Sequence, residues 1–179
     1  EGHTSTNDTL LLLASGAKGD KPLSGDALAQ FQAAVTEVCI ELARMIPDDG
    51  EGATHLITID VTGTANRADA KRIAKTIADS ALVKTAITGG DPNWGRIVSA
   101  AGYAGVPLDP SQVDLCLNGT LIYKQGTPLA FDAAQVSRSI RDNRETSIEL
   151  KVGSGPGACR FWTSDLTVEY VQFNSEYST

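Results

Sequence analysis

Three polar side chains of the sequence have the chemistry and the setting to bind a small charged molecule. Glu51 lies in an acidic loop, between glycines that let the backbone turn sharply and point the carboxylate inward. Asn174 and Thr179 lie at the end of the chain, after a strand-like segment, and offer amide and hydroxyl groups suited to an amino acid. The simpler interpretation is a solvated loop and a disordered tail.

Two further polar segments allow both a structural and a functional interpretation. Residues 4–9 place six short polar side chains before an apolar run, where they either bind backbone groups in turns or form a polar pocket wall. In residues 89–96, Asp91 is a candidate helix cap with Pro92 in the first helical position. Arg96 could hold a carboxylate through two hydrogen bonds, but a surface ion pair explains it equally well.

The remaining reactive side chains exclude several classes of protein. His3 and His55 belong to no HExxH or glycine-flanked serine motif, so neither a zinc hydrolase nor a self-contained Ser/His/Asp hydrolase is predicted. We expect both histidines to be solvated or hydrogen-bonded locally. Cys39, Cys116 and Cys159 lack metal-ligand spacing, which indicates free thiols in a reducing compartment and no metal site.

Charge and hydropathy narrow the choice of partner. The net charge is −7 and no basic block is present, which argues against binding of nucleic acid. Every apolar run is far shorter than the roughly 20 residues of a membrane span, and no signal peptide opens the chain, so we predict a soluble protein without a membrane partner. Because the chain begins at Glu1 and not at methionine, we expect one subunit or fragment of a larger protein.

The elements that must position these groups alternate between helix and strand, as in α/β layered proteins. The clearest is a helix in which apolar residues recur at steps of three and four from Leu28 to Met45, which predicts one buried face. The other predicted elements are strands at 9–14, 55–64, 147–152 and 161–171, helices after Asn66, at 94–101 and at 131–141, and a hairpin turning at Asn118–Gly119. Residues 153–157 are rich in glycine, but a phosphate-binding glycine loop should open a helix and the residues that follow, 159–163, look extended. We therefore predict that residues 153–157 connect a hairpin. We place a domain boundary near Gly89.

Four segments, in this order along the chain, together resemble the ornithine acetyltransferase family of arginine biosynthesis. The segments are Thr-Ser-Thr-Asn-Asp-Thr at 4–9, Gly-Glu-Gly-Ala-Thr at 50–54, Gly-Asp-Pro-Asn-Trp-Gly-Arg at 90–96 and Asn-Ser-Glu-Tyr-Ser-Thr at 174–179. The third is the most distinctive. His3 departs from the family pattern, in which an acidic residue is expected.

The resemblance implies a precursor that cuts itself before a threonine into an α and a β chain, and this sequence corresponds to the β chain beyond that threonine. No catalytic residue is then expected here, and Glu51, Asn174 and Thr179 match substrate-binding positions. The implied fold is α/β layered and DmpA-like, superficially similar to amino-terminal nucleophile hydrolases. Residues 1–88 would belong to the layered domain and 89–179 to a smaller α+β domain. The implied assembly is an (αβ)2 heterotetramer with the α chain, in the cytoplasm, or in mitochondria or plastids of a eukaryote.

The implied reaction is a ping-pong transfer in which the threonine takes the acetyl group from N-acetylornithine and passes it to glutamate. No metal or cofactor is implied, although acetyl-CoA could serve as a second acetyl donor. Two other classes stay open: an amino-terminal nucleophile aminopeptidase or amidase, which would release acetate, and a non-catalytic amino-acid-binding regulatory module.

Overall fold

The computed structural model describes residues 7–19 and 21–176. The helices are α1 (Gly25–Asp48), α2 (Arg67–Ala78), α3 (Ala81–Thr88), α4 (Trp94–Gly102), α5 (Ala133–Arg141) and α6 (Val168–Glu176), with a short 3-10 turn at Pro110–Gln112. The strands are β1 (Leu56–Gly63), β2 (Asp114–Leu117), β3 (Thr120–Lys124), β4 (Thr127–Pro128), β5 (Glu145–Lys151) and β6 (Gly155–Ser164).

The six strands of the described residues form one mixed sheet in the order β4-β3-β2-β5-β1-β6. β1 runs parallel to β5 and antiparallel to β6, and the other neighbours are antiparallel. The predicted α/β layered class is therefore confirmed. One strand of this sheet, β1, comes from residues 1–88, and the other five come from residues 89–179. The domain boundary near Gly89 stays a prediction.

Part of the core lies where α2 covers β1 and the edge strand β6. Ile57, Ile59 and Val61 alternate along β1 and are fully buried, because branched side chains pack well on a pleated surface. Ile73 and Ile77 bring the apolar face of α2 onto this layer. The predicted Asn66 cap starts the helix, since its side chain accepts from the Asp69 N–H.

The hairpin predicted at Asn118–Gly119 is confirmed. β2 and β3 pair antiparallel across it, and Asn118 (φ 47°) and Gly119 (φ 75°) both adopt the left-handed backbone that a two-residue turn requires. The predicted strand at 55–64 is confirmed as β1, and the helices predicted at 94–101 and 131–141 are confirmed as α4 and α5.

The glycine-rich residues 153–157 do not connect a hairpin, so that prediction was wrong. Residues 152–154 join β5 to β6, which lie on opposite sides of β1, and residues 155–157 already belong to β6. A Cβ on Gly155 would lie 2.1 Å from the Thr64 carbonyl oxygen, and one on Gly157 would lie 2.4 Å from the Asn66 backbone. The glycines therefore allow close approach of two backbones, which a local pattern cannot reveal.

The first part of the chain differs from prediction in its burial. Leu10, Leu11, Leu12 and Leu13 form no strand, and each is at least 73% exposed. α1 is a helix as predicted, yet none of its residues is buried, and Phe31 and Met45 are 51% and 61% exposed. Periodicity therefore identified a helix with an apolar stripe, but the described residues do not cover the stripe.

The predicted strand at 161–171 was also wrong in its second half. β6 ends at Ser164, and Val168–Glu176 is the helix α6. Short runs of β-branched and aromatic residues do not distinguish strand from helix by themselves. Within the described ranges, no helix has both the length and the apolar character needed to cross a membrane.

Candidate functional site

The loop that carries Glu51 is pressed against the start of α6. Gly52 adopts φ +65°, and a Cβ placed there would lie 2.7 Å from the Tyr170 backbone nitrogen. Only glycine combines this backbone conformation with so close an approach. The loop and the helix therefore meet backbone to backbone, beside an exposed Glu51 side chain.

Thr167 joins the loop to the helix through a single hydroxyl group. The hydroxyl donates to the Gly52 carbonyl oxygen at 2.8 Å and accepts from the Tyr170 N–H at 3.1 Å. The second bond is a helix N-cap, because Tyr170 is three residues beyond Thr167. Thr167 is 7% exposed, so the residue is largely shielded from water, while its two partners are half-buried.

Asn174 lies one turn beyond Tyr170 and reaches back to Glu51. Its Nδ2 donates to the Tyr170 carbonyl at 2.9 Å and to Glu51 Oε2 at 3.4 Å. Since these two bonds use both amide hydrogens, Oδ1 is the atom of Asn174 that can accept from a ligand. Two of the three predicted substrate-binding residues are thus brought together, and the third, Thr179, lies outside the described residues.

A buried carboxylate fixes the other end of the same loop. Asp165 is 3% exposed and accepts the backbone N–H groups of Thr54 at 2.9 Å and His55 at 3.0 Å. It also accepts the hydroxyls of Thr54 at 2.5 Å and Thr88 at 3.1 Å. One side chain therefore ties the loop, the start of β1 and the end of α3 together.

The charge of Asp165 is stabilised by its hydrogen bonds. Burial raises the pKa of a carboxyl group, but the bonds from Thr54 and His55 together outweigh burial and hold the pKa of Asp165 below its ordinary value. The carboxylate is accordingly a structural acceptor at neutral pH.

His55 is not part of a nucleophilic triad. Its Nδ1 lies 2.8 Å from Asp165 Oδ2, but its Nε2, the atom that would face a nucleophile, lies 3.2 Å from the Ile140 carbonyl oxygen. His55 is buried and hydrogen-bonded, but only its 2.9 Å contact with the Thr54 hydroxyl is local as predicted, since Asp165 and Ile140 are distant in the sequence. His3 lies outside the described residues.

In the segment 89–96, the side chains of Asn93 and Arg96 contact the backbone and side chains of α3 and α4. The cap of α4 is Asn93, whose Oδ1 accepts from the Arg96 N–H at 3.1 Å, so the prediction of Asp91 as cap was wrong. Arg96 Nη1 donates to the Leu82 carbonyl at 2.9 Å and to the Thr85 hydroxyl at 3.3 Å. It therefore ties α4 to α3 and forms no surface ion pair among the described residues, while the binding of a carboxylate by Arg96 stays a prediction.

The other predicted features are the polar segment 4–9 and the three cysteines. Of residues 4–9, only 7–9 are described; they are exposed, and Asp8 and Thr9 line an open pocket of about 1120 Å³ beside the end of α1. The Thr9 hydroxyl also donates to the Asn7 carbonyl at 3.1 Å, so both interpretations of this segment stay open. Cys39, Cys116 and Cys159 are free thiols as predicted. Burial, with the Glu149 and Asp114 carboxylates nearby, raises the pKa of the Cys116 thiol and so disfavours its reactive thiolate. No cluster of His, Cys, Asp or Glu among the described residues is arranged to hold a metal ion.

Asp165 and Thr167 are the residues that sequence reasoning missed. A threonine followed two residues later by Glu169 is a helix-start signal, since acidic residues favour the first turn. We did not use this signal, because the composition of residues 161–171 favoured a strand. Nothing local indicates that Asp165 would meet Thr54 and His55, which are more than 100 residues earlier in the chain.

The sequence matches the ArgJ family model over residues 1–179. The chain belongs to the ArgJ family. This confirms the family resemblance found in the four segments.

Two curated ArgJ relatives align with the whole of this chain. Arginine biosynthesis bifunctional protein ArgJ of Rhodopirellula baltica is 51% identical over 182 residues, and this chain spans 44% of its length. The chloroplastic ArgJ protein of Physcomitrium patens is 44% identical over 186 residues, and the chain spans 36% of it. The chain thus covers less than half the length of these relatives.

The fold also matches that of an ArgJ protein. The crystal structure of arginine biosynthesis bifunctional protein ArgJ from Bacillus halodurans superposes with a TM-score of 0.94 at 38% sequence identity. The match covers 99% of this chain and 84% of that chain. The predicted ornithine acetyltransferase fold is therefore confirmed at the level of the ArgJ fold.

Proposed function

We propose that this chain supplies the amino-acid-binding part of an enzyme that transfers an acetyl group from N-acetylornithine to glutamate. The observation that carries the proposal is the contact between Glu51 and Asn174, which joins an acidic loop to a terminal helix at one small polar site. The family membership supports it, because the named relatives are bifunctional proteins of arginine biosynthesis.

In the proposed reaction, the hydroxyl of a threonine upstream of this chain attacks the acetyl carbonyl of N-acetylornithine. The C–N bond breaks, ornithine leaves with the hydroxyl proton, and the acetyl group remains on the threonine as an ester. The amine of glutamate then attacks this ester, giving N-acetylglutamate and restoring the hydroxyl. A neighbouring α-amine can serve as the base, and donors on the α chain would stabilise the oxyanion.

The residues of this chain would bind and orient the two amino acids. The Glu51 carboxylate would pair with a substrate ammonium group through a charge-assisted hydrogen bond. Asn174, and Thr179 beyond the described residues, would bond the remaining polar groups. Orientation of this kind lowers the barrier because the reacting atoms are held in place before the reaction begins.

We further propose that an α chain from the same precursor covers the exposed apolar surface of α1, within an (αβ)2 heterotetramer. The support is the row of exposed residues on α1, since contiguous apolar surface of this extent marks an interaction site. Acetyl-CoA is proposed as a second acetyl donor. The proposed location is the cytoplasm, or mitochondria or plastids in a eukaryote, and some plant relatives are named chloroplastic.

An acetyl-transfer assay on the full-length enzyme tests the proposal. We expect Glu51→Ala to reduce kcat/KM with N-acetylornithine by a factor equivalent to about 1.5–3 kcal/mol, the scale of a hydrogen bond to a charged group. Glu149→Ala, an exposed acid on β5, is the matched control and should leave kcat/KM unchanged. Unchanged kinetics for Glu51→Ala in both half-reactions would refute the role of this site.

The same assay separates the rival functions. Release of free acetate in place of N-acetylglutamate would indicate an aminopeptidase or amidase of related architecture. Binding of amino acids by this chain alone, with no dependence on upstream sequence, would indicate a regulatory module.

A further inference from the structure

We propose that Thr167 is a positioning residue for the amino-acid site, and that its hydroxyl sets the placement of Asn174 relative to Glu51. The inference rests on the proposed function of that site. It concerns a residue that does not itself need to touch the substrate, because its bonds run to the two elements that carry the binding groups.

The described hydrogen bonds form a closed ring around the site. From Glu51, the chain passes to Gly52, whose carbonyl oxygen accepts from the Thr167 hydroxyl at 2.8 Å. The same hydroxyl accepts from the Tyr170 N–H at 3.1 Å, and the Tyr170 carbonyl holds the Asn174 amide at 2.9 Å. The 3.4 Å bond from Asn174 to Glu51 closes the ring.

Thr167 is the polar link between the loop and the start of α6 in this ring, and α6 itself is largely exposed. None of its described residues is buried, and Val168, Val171 and Phe173 are 81%, 56% and 51% exposed. The Thr167 side chain, in contrast, is almost fully buried at the base of the helix. Its loss would leave the Gly52 carbonyl and the Tyr170 N–H without this partner, which is costly away from water.

The two binding residues would respond differently to the loss of this link. The Glu51 loop is held independently at its other end by Asp165, which accepts from Thr54 and His55. Asn174 lies seven residues beyond Thr167, about 10 Å along the helix axis at 1.5 Å per residue. A small tilt at the cap would therefore displace Asn174 while leaving Glu51 in place.

The test compares hydroxyl-retaining and hydroxyl-deleting variants of the full-length enzyme. Thr167→Val keeps the side-chain volume and removes the hydroxyl, and we expect it to raise KM for N-acetylornithine by about tenfold, the factor of one hydrogen bond. We expect kcat and the rate of self-cleavage to change by less than about twofold. Thr167→Ser should restore KM, and Thr76→Val, whose hydroxyl bonds a carbonyl of its own helix α2, should have no effect.

A second variant covers the case in which Thr167→Val does not fold. In Thr167→Asp the carboxylate can still accept from the Tyr170 N–H and cap α6, but it cannot donate to the Gly52 carbonyl. The helix start is kept and the link to the loop is lost, so KM should rise as in Thr167→Val. An unchanged KM in a folded Thr167→Asp enzyme would overturn the proposal.

A double-mutant cycle distinguishes positioning from general destabilisation. If Thr167 acts by placing Asn174, then Thr167→Val should change KM by less than about twofold in an Asn174→Ala enzyme, since the group it places is absent. The full tenfold effect in that background would overturn the proposal. If Glu51→Ala impairs transfer but Thr167→Val leaves KM unchanged, only the positioning role fails; unchanged kinetics for Glu51→Ala would remove the proposed function itself.

Discussion

Two side chains with opposite chemistry hold the loop that carries Glu51. Thr167 bonds the Gly52 carbonyl as a neutral donor, whereas Asp165 accepts two backbone N–H groups as an anion. The loop is therefore fixed at two points that follow Glu51 in the chain, by groups that do not compete with it for a ligand. A carboxylate held in this way binds a cation without a large ordering cost.

The charge on Asp165 leads to a prediction about pH. Its pKa is lowered in the folded protein, so the unfolded chain binds this proton more tightly and stability rises with pH across the titration. The contribution is complete above the ordinary carboxyl range near pH 4 and is lost as pH falls through and below that range. We expect Asp165→Asn to lower the thermal unfolding midpoint of the full-length enzyme at pH 7, and the difference from wild type to shrink on acidification. A difference that does not vary with pH would contradict the role of the charge.

The backbone of Gly52 leads to a second prediction. Gly52→Ala places a methyl group 2.7 Å from the Tyr170 nitrogen at a positive φ, so α6 must move away from the loop. We expect a loss of about 1–3 kcal/mol in stability, the cost of such backbone strain, together with a raised KM. Gly102→Ala is the control, because a Cβ there meets nothing within 4 Å. Equal unfolding midpoints for the two variants would contradict the packing described for Gly52.

At the scale of elements, the sequence correctly predicted the helix start and the turn whose conformation is set by their own residues. α2 begins at the Asn66 cap and the β2–β3 hairpin turns at Asn118–Gly119, because caps and left-handed turns are set by the residues themselves. The glycines at 153–157 and the helix α6 were not predicted correctly. Position 155 must be glycine because the Thr64 backbone, far away in the sequence, leaves no room for a side chain. The start of α6 is capped by Thr167, whose hydroxyl also bonds to Gly52, more than 100 residues earlier.

The candidate site could be predicted only in part, because some of its residues are recognisable by type and others only by their distant contacts. Glu51 and Asn174 were identified by residue type and by family resemblance, and the structure brings them to 3.4 Å. Asp165 and Thr167 were not identified, because their bonds to the Glu51 loop join residues more than 100 positions apart. The binding groups could be named from sequence, but the groups that hold them could not.

The end of α6 gives a prediction at the element scale. Removal of residues 175–179 should weaken substrate binding, seen as a raised KM, because the deletion takes Thr179 and shortens the helix beyond Asn174. Self-cleavage should remain complete on a denaturing gel, since no residue of this segment is proposed to act in it. Wild-type affinity after truncation would show that the tail does not contribute to the site.

At the scale of the whole molecule, α1 carries a stripe of apolar side chains that the described residues leave exposed. Phe31 and Val38 are seven residues apart on one side of the helix and are 51% and 57% exposed. The end of α1 is anchored to the sheet by Arg144, which pairs with Asp48 at 2.8 Å. The helix is therefore held in place while its apolar residues remain open, as expected of a surface that another chain covers.

This surface leads to a prediction about assembly. In the full-length enzyme, Phe31→Asp with Val38→Asp should reduce the amount of α chain that co-purifies with an affinity-tagged β chain after self-cleavage, because charges would be buried at the interface. Lys71→Asp on the exposed side of α2 is the control and should leave recovery unchanged. Full recovery of the α chain with the double variant would exclude α1 as the interface.

The central claim is that Glu51 and Asn174 together hold the amino-acid substrate. A crystal structure of the full-length enzyme with bound ornithine tests it most directly. We expect an ornithine ammonium group within hydrogen-bond distance of the Glu51 carboxylate, about 2.7–3.2 Å, with Asn174 bonded to the same molecule. Ornithine bound at another place, with both residues still bonded only to each other and to α6, would contradict the claim.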